Sequence, residues 1–208
     1  FLGALTMGLI AAAPTQAAEL DADALIGSLA RPAPASMPFK EIRFSTLLEP
    51  PLIVEGELKY LAADHLERFV AKPHKERTII RGESVRVERH GEKLRTFSLN
   101  RAPELKGLLL AFSGLLAGDA AAVEQHFEVT AQGDSDRWAL ELVPLDARAR
   151  KQMQSLTMMG TSEEPSCLLT ETARGGQSVM LLGGLASRDL EPDVSVERLR
   201  TICETGPQ

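Results

Sequence analysis

The chain has 208 residues, of which 44% are hydrophobic, 25% charged and only 4% aromatic, a length that suits one domain with a sizeable core. Its net charge of −6, from 23 Lys plus Arg against 29 Asp plus Glu, excludes a strongly basic nucleic-acid binder. Two cysteines exclude a disulfide-rich scaffold, and four histidines without short ligand spacing argue against a metal site.

The first seventeen residues form an uncharged, mostly apolar segment. Its run from Phe1 to Ala13 has the length of a signal-peptide hydrophobic region and is too short to cross a bilayer about 30 Å thick. Pro14 ends this run, and Thr15-Gln16-Ala17 resembles a signal-peptidase site. We therefore interpret 1–17 as a signal peptide, N-terminally truncated here and cleaved after Ala17, with a buried amphipathic helix as the alternative.

After the signal peptide, the pattern predicts one short helix and then strands. Asp21 or Asp23 can cap a helix that runs through Ala30. From Phe39 onwards apolar and polar side chains alternate, and turn signals recur about every 8 to 12 residues, which is typical of an antiparallel sheet. The predicted strands after the first include 52–60, 66–72, 78–80, 84–89, 93–99, 125–131, 138–142, 156–159, 167–172 and 178–182.

One leucine-rich helix interrupts the strands. Pro103 suits its first turn, Gly118 can end it, and Asp119 can cap a second short helix that runs to about Glu124. The apolar side chains of the longer helix follow helical spacing and predict one buried stripe, made of Leu105, Leu108, Leu109, Phe112, Leu115 and Leu116. This stripe must cover the apolar face of the sheet, and either a tight core or an apolar cavity can lie between them.

The sequence offers no residues for catalysis. The serines lack a G-x-S-x-G motif, and the glycine pairs belong to no phosphate-binding loop. We therefore expect no enzyme activity, no catalytic residue, no metal and no cofactor. Export would place Cys167 and Cys203 in an oxidising compartment, where they can form a disulfide or stay unpaired. We expect one domain over 18–185 and a C-terminal tail over 186–208.

An ordered set of short motifs resembles a known family. The motifs are Phe44-Ser45-Thr46, Pro51-Leu52, Gly56-Glu57-Leu58-Lys59-Tyr60, Asp64-His65-Leu66-Glu67-Arg68, Leu115-Leu116-Ala117-Gly118-Asp119, Trp138-Ala139-Leu140-Glu141-Leu142-Val143-Pro144, Glu171, Gly175-Gly176-Gln177-Ser178 and Met180. From about Leu25 to Gly183 the chain resembles the LolA outer-membrane lipoprotein carriers, specifically their divergent LolA-related branch.

The resemblance implies an α+β, mainly β, fold: an unclosed antiparallel β-barrel covered by a helical lid. It also implies a soluble, monomeric periplasmic carrier that binds no nucleic acid. Such a carrier takes acyl chains of lipoproteins or lipids from an inner-membrane exporter to an outer-membrane acceptor. The leucine stripe would line the lid of its hydrophobic cavity. The wall would comprise Ile42, Phe44, Val54, Leu58, Tyr60, Trp138, Leu140 and Leu142.

The sequence departs from the family at one motif. Typical carriers have an Arg-Pro pair, whose arginine helps to latch the lid, where this chain has Ala62-Ala63, and Arg68 is the nearest substitute. A lipid carrier for another envelope export system is therefore an equal alternative. Further alternatives are a sensor or accessory domain similar to RseB and, as an enzyme, an envelope hydrolase.

Overall fold

The computed structural model describes residues 20–45, 49–162 and 164–206, so the predicted signal peptide lies outside the described residues. The helices are α1 (Ala22–Ser28), α2 (Pro103–Ala117), α3 (Ala120–Glu124), α4 (Ala147–Arg150) and α5 (Val196–Thr205). The strands are β1 (Ala35–Phe44), β2 (Leu52–Ala62), β3 (His65–Lys72), β4 (Glu76–Arg81), β5 (Ser84–Arg89), β6 (Arg95–Ser98), β7 (Phe127–Gly133), β8 (Arg137–Pro144), β9 (Met153–Thr161), β10 (Glu164–Thr172) and β11 (Gln177–Leu182). Short 3₁₀ turns cover Leu99–Arg101 and Gly183–Ser187.

The strands form one antiparallel sheet in the order β6-β5-β4-β3-β2-β1-β11-β10-β9-β8-β7. Neighbours in the sheet are consecutive in the chain except β1 and β11, which pair Phe39 opposite Leu182 and Phe44 opposite Gln177. β6 and β7 lie at opposite ends of the order, and α2 and α3 connect them. The predicted unclosed antiparallel barrel with helices is therefore confirmed.

Local signals place the helices of the lid as expected. Asp21 Oδ1 accepts hydrogen bonds from two N–H groups at the start of α1, and Asp119 Oδ1 accepts one from Ala122 N at 3.0 Å at the start of α3. Pro103 is the first residue of α2, and Gly118 ends it with a φ of 66°, a left-handed conformation that glycine adopts without strain. A Cβ at Gly118 would also lie only 2.9 Å from Ala30 Cβ, so this residue lets α1 and α2 approach each other.

The C-terminal segment covers the convex face of the sheet. Leu199 and Ile202 of α5 are buried there in one apolar cluster with Val179 and Leu181 of β11. Cys203 of α5 forms a disulfide with Cys167 of β10, with a Cα–Cα distance of 5.7 Å. The predicted C-terminal tail thus contains a helix that is covalently attached to the sheet.

The concave face of the sheet is covered by α1, α2 and α3. Their buried side chains, such as Ile26, Phe112, Leu115 and Val123, share an apolar cluster with the inward side chains of the strands. None of the helices in the described ranges is long and apolar enough to span a membrane. The concave face is where the lid leaves open space, and it contains the candidate site.

Candidate ligand-binding cavity

Two neighbouring cavities lie between the lid and the concave face. The first, the lid cavity, has a volume of about 220 Å³ and is lined by the segment that follows α1, by α2, and by β1, β2, β3, β9 and β10. The second, the central cavity, has a volume of about 570 Å³, within the range of about 300–1,000 Å³ typical of ligand pockets. Leu58 and Leu66 line both cavities, so the two spaces adjoin across these apolar side chains.

The central cavity has α2 on one side and the sheet on the other. Leu105 and Leu108 of α2 are partly buried and face it. The opposite wall consists of apolar side chains from β4, β5, β9, β10 and β11. They are Ile80, Val87, Met153, Leu156, Leu168 and Met180. Two of these are methionines, whose unbranched and flexible side chains adapt to differently shaped ligands.

Most of the predicted lid stripe faces these cavities. Leu105 and Leu108 line the central cavity, while Phe112, Leu115 and Leu116 line the lid cavity. Leu109, which is 5% exposed, instead packs in a cluster with side chains of β2 to β5. Sequence reasoning placed Leu110 outside the stripe, but it packs against the main concave cluster.

The predicted cavity wall needs several corrections, and the clearest concerns β1. Leu58 and Tyr60 line the cavities, but Ile42 is fully buried on the convex face with α5. Phe44, two residues further along β1, also packs against the convex cluster. Because it is the last residue of the strand, it also contributes to the lining of the central cavity. β1 is covered on both faces, so apolar side chains occur at odd and even positions, and alternation alone could not assign Ile42 to a face.

Trp138, Leu140 and Leu142 of β8 lie on the concave face, as predicted, but they are closely packed and do not line either cavity. The Trp138 Nε1–H donates to the backbone oxygen of Ser162 at 2.6 Å. Gly160 on β9 lies opposite Trp138, and a Cβ there would collide with the indole ring. This glycine is the sequence signal that a large ring packs across the two strands.

The far end of the central cavity is charged, which the sequence analysis missed. Arg68 Nη2 donates to Glu41 Oε2 at 2.6 Å, and Arg43 Nη2 donates to the same oxygen at 2.8 Å. Arg89 Nε donates to Glu76 Oε2 at 2.5 Å, and Arg68 Nη1 lies 3.9 Å from Glu76 Oε1. Three arginines and two glutamates thus form one connected ionic cluster.

Arg68 is the central member of this ionic cluster. Its side chain is only 14% exposed, and its guanidinium carbon lies 4.7 Å from the centre of the Phe39 ring. Burial raises the pKa of the Glu41 carboxyl, but hydrogen bonds and charges from Arg43 and Arg68 outweigh this effect and hold the pKa below its usual value. Glu41 is therefore ionised at neutral pH, and the pairs are charge-assisted.

A third cavity, the mouth cavity, opens beyond the ionic cluster. It has a volume of about 720 Å³ and shares Arg43, Arg68, Glu76 and Arg89 with the central cavity. Val54, which was predicted to line the apolar cavity, lines this mouth instead. The ionic cluster therefore separates an apolar space under the lid from a more open, polar space.

The lid is attached at the position of the missing Arg-Pro motif. Ser113 of α2 donates a hydrogen bond from Oγ to the backbone oxygen of Ala63 at 2.6 Å. The backbone N–H of Arg31, after α1, donates to Leu116 O at the end of α2 at 2.8 Å. Arg68, the suggested substitute, contacts Glu41, Glu76 and Phe39, all of which belong to the sheet.

Within the described ranges, no group of three or more His, Cys, Asp and Glu side chains is placed to hold a metal ion. The residues that line the apolar cavities can bind by excluding water, and the ionic cluster can bind by charge and hydrogen bonding. The arrangement is therefore suited to an amphiphilic or apolar ligand.

The family comparison is specific. The family model described as "outer membrane lipoprotein carrier protein LolA-like" matches residues 11–206. The chain belongs to this family. No curated protein matches it in sequence.

Solved structures with similar folds are distant in sequence. A LolA superfamily protein from Nitrosomonas europaea is 12% identical, with a TM-score of 0.43, over 81% of this chain and 92% of the other. An outer-membrane lipoprotein-sorting protein domain from Vibrio parahaemolyticus, described as putative, is 8% identical, with a TM-score of 0.42, over 85% and 93%. The MucA/MucB complex from Pseudomonas aeruginosa contains a chain that is 11% identical, with a TM-score of 0.35, over 83% and 59%.

Proposed function

We propose that this LolA-like protein is a periplasmic carrier that binds acyl chains of lipoproteins or lipids and takes them across the periplasm to the outer membrane. The observation that carries the proposal is the central cavity, about 570 Å³, between the leucines of α2 and the apolar concave face. Family membership supports a binding protein, because the family is described by its carrier role.

An acyl chain fits the chemistry of this cavity. Burying each CH₂ group is worth about 0.8 kcal/mol, and this gain needs no directional partner. Leu105 and Leu108 on the lid and Met180 on the sheet offer apolar surface from opposite sides. Such a site binds chains of different length and leaves the identity of the attached group to other contacts.

Loading and unloading require α2 to move away from the sheet. In this proposal an inner-membrane exporter supplies the acyl chain and an outer-membrane acceptor receives it, while the carrier acts as a monomer. The Ser113–Ala63 hydrogen bond and the Arg31–Leu116 backbone bond hold the lid in the state described here. Each is a single hydrogen bond with a net value of about 0.5–1.5 kcal/mol. The larger cost of opening is exposure of buried α2 side chains such as Phe112 and Leu115, which an acyl chain that covers the same surface can offset.

The test is native mass spectrometry of protein purified from the periplasm. We expect a mature chain that starts at Ala18 and carries bound lipid. Leu108→Gln should reduce the lipid-bound fraction several-fold, because its side-chain amide would lie in the apolar cavity without a hydrogen-bond partner. A wild-type protein that carries no lipid and takes up none from vesicles would overturn the proposal.

Leu110→Gln is the matched control on the same helix. Like Leu108, Leu110 is partly buried and packs against the main concave cluster, but it does not line either apolar cavity. We expect both variants to keep the wild-type circular dichroism spectrum and only Leu108→Gln to lose lipid. Equal loss from both variants would show that packing of α2, rather than the cavity, governs binding.

A further inference from the structure

On six strands the concave face changes from apolar to polar towards the same end of the sheet. On β1 and β3, which run in the same direction, Phe39 is followed by Glu41 and Leu66 by Arg68. On β4, which runs in the opposite direction, the order is reversed, and Thr78 precedes Ile80.

The remaining three strands follow the same rule. Val87 precedes Arg89 on β5, while Ser178 precedes Met180 on β11, and Leu168 precedes Thr170 on β10. Reversal of the order with strand direction places the polar side chains at the same end of the central cavity. β2 and β9 keep apolar side chains at that end, Val54 and Leu156 among them, and Val70 follows Arg68 on β3. The cavity is therefore amphipathic along its length.

The polar end carries an excess of positive charge. The ionic cluster has three arginines and two glutamates, and the mouth cavity adds Lys75 and Glu92, with two histidines. Together, the linings of the central and mouth cavities contain four permanent cations, Arg43, Arg68, Lys75 and Arg89, against the three carboxylates of Glu41, Glu76 and Glu92, whereas the whole chain has a net charge of −6. An anion at this end would meet a locally positive field.

Two of the arginines are exposed enough to contact a ligand, although each already pairs with a carboxylate: Arg43 with Glu41, and Arg89 with Glu76 and Glu92. The side chains of Arg43 and Arg89 are 44% and 45% exposed, whereas that of Arg68 is 14% exposed and is fixed by Glu41 and Phe39. Arg43 uses Nη2 for Glu41, and a guanidinium has five N–H donors, so further donors can serve a ligand. Guanidinium groups bind carboxylates and phosphates through paired hydrogen bonds.

We propose that the preferred cargo is a single-chain amphiphile with an anionic head, either a carboxylate or a phosphate monoester. Its tail lies under α2 in the central cavity, and its head lies between Arg43 and Arg89, while Arg68 acts as the positioning residue. This rests on the proposed function and adds the class of head group. A neutral head at the same place would desolvate the arginines without supplying a counter-charge, and it is therefore bound more weakly.

The test compares amphiphiles that share a palmitoyl tail. Delipidated protein is titrated by calorimetry with palmitate, with 1-palmitoyl lysophosphatidate and with neutral monopalmitoylglycerol, and separately with inorganic phosphate alone. We expect the affinity for each anionic amphiphile to be at least about tenfold higher than that for the neutral one, which is the effect of one charge-assisted contact. Phosphate alone should give no measurable binding. Binding of phosphate alone as tightly as lysophosphatidate would overturn the role of the tail.

A pair of charge-matched variants isolates the head-group contact. Arg43→Gln with Arg89→Gln should lower affinity for the anionic amphiphiles about tenfold and should not lower affinity for monopalmitoylglycerol, because a neutral head then no longer desolvates two guanidinium groups. An unchanged circular dichroism spectrum shows that the fold is intact. The control is Arg77→Gln with Arg86→Gln, which removes the same charge from exposed arginines that pair with Glu67 and Glu88 and line none of these cavities. It should bind all ligands as the wild type does.

The outcomes separate the inference from the proposed function. If neutral and anionic amphiphiles bind equally tightly and both double variants match the wild type, the head-group inference is wrong and the carrier function stands. If none of the palmitoyl compounds binds, the carrier function itself is overturned.

Discussion

The two faces of the sheet are both covered by helices, but the cavities described above lie on the concave face. On the convex face α5 packs closely on β10 and β11, with Leu199 and Leu181 fully buried and a disulfide between Cys167 and Cys203. On the concave face the lid encloses cavities of about 220 and 570 Å³. The strands present apolar side chains to both faces. Whether a closely packed core or a binding site results therefore depends on the helices that cover each face.

The difference also lies in how each cover is attached. A covalent bond fixes α5 to the sheet, whereas α2 is joined to the β2–β3 turn by a side-chain hydrogen bond from Ser113 to Ala63. A permanent core benefits from a covalent attachment, while a site that must admit a ligand needs a cover that can open. The following predictions test this division.

Removal of the disulfide should have the largest effect and should act on the convex face. Cys167→Ser with Cys203→Ser should lower the free energy of unfolding by about 2–5 kcal/mol, because the bond closes a loop with a sequence separation of 36 residues. Urea denaturation measures this loss, and the wild type under reducing conditions is the control. Lipid binding per folded molecule should not change. If it falls in the folded protein, the two faces are not independent.

The sequence predicted the sheet more accurately than the position of the cavity within it. Strand positions and helix caps depend on neighbouring residues, and Asp21, Pro103 and Gly118 act as expected. The face assigned to Ile42 was wrong because both faces of β1 are buried, and alternation between apolar and polar residues is lost in such a strand.

The charged end of the cavity could not be predicted from local pattern. Charged residues in an alternating strand normally face solvent, so Glu41 and Arg43 gave no sign of lying on the inner face. Glu41 pairs with Arg68, which is 27 residues away on another strand, and this distant partner makes its burial tolerable. Arg89 likewise lies with Val85 and Val87 on the concave face, where its charge is paired with Glu76 of the neighbouring strand.

Enlarged side chains should distinguish a closed core from an open cavity. Val179→Phe on the convex face should lower the free energy of unfolding by about 1–3 kcal/mol, since Val179 is 1% exposed in a closely packed cluster. Leu108→Phe on the lid should cost less than about 1 kcal/mol, because the larger ring can enter the central cavity. Urea denaturation compares the two variants.

In lipid binding the order of the two variants should be reversed: Leu108→Phe should have the larger effect and Val179→Phe the smaller. Leu108→Phe fills space that the proposed cargo occupies, so the lipid-bound fraction in native mass spectrometry should fall, while Val179→Phe should leave it unchanged. Equal destabilisation by both variants would show that α2 packs as tightly on the sheet as α5 does, and the comparison between the faces would fail.

The smallest expected effect concerns the hydrogen bond that holds the lid. Ser113→Ala removes the donor to Ala63 O and should lower stability by no more than about 0.5–1.5 kcal/mol, because Ser113 is partly exposed and water can replace the lost partner. Amide hydrogen exchange should nevertheless become faster throughout α2, since a lid opens locally at a lower free energy than the whole fold.

Thr201→Ala provides the matched control for this change. Its hydroxyl also donates to a backbone oxygen, Glu197 O at 3.0 Å, but both residues belong to α5 on the convex face. Loss of this bond within one helix leaves the disulfide and the buried contacts of α5 in place, so exchange in α2 should stay at the wild-type rate. If Ser113→Ala also leaves exchange in α2 unchanged, the lid is held by its apolar contacts alone, and the Ala62-Ala63 turn has no latching role.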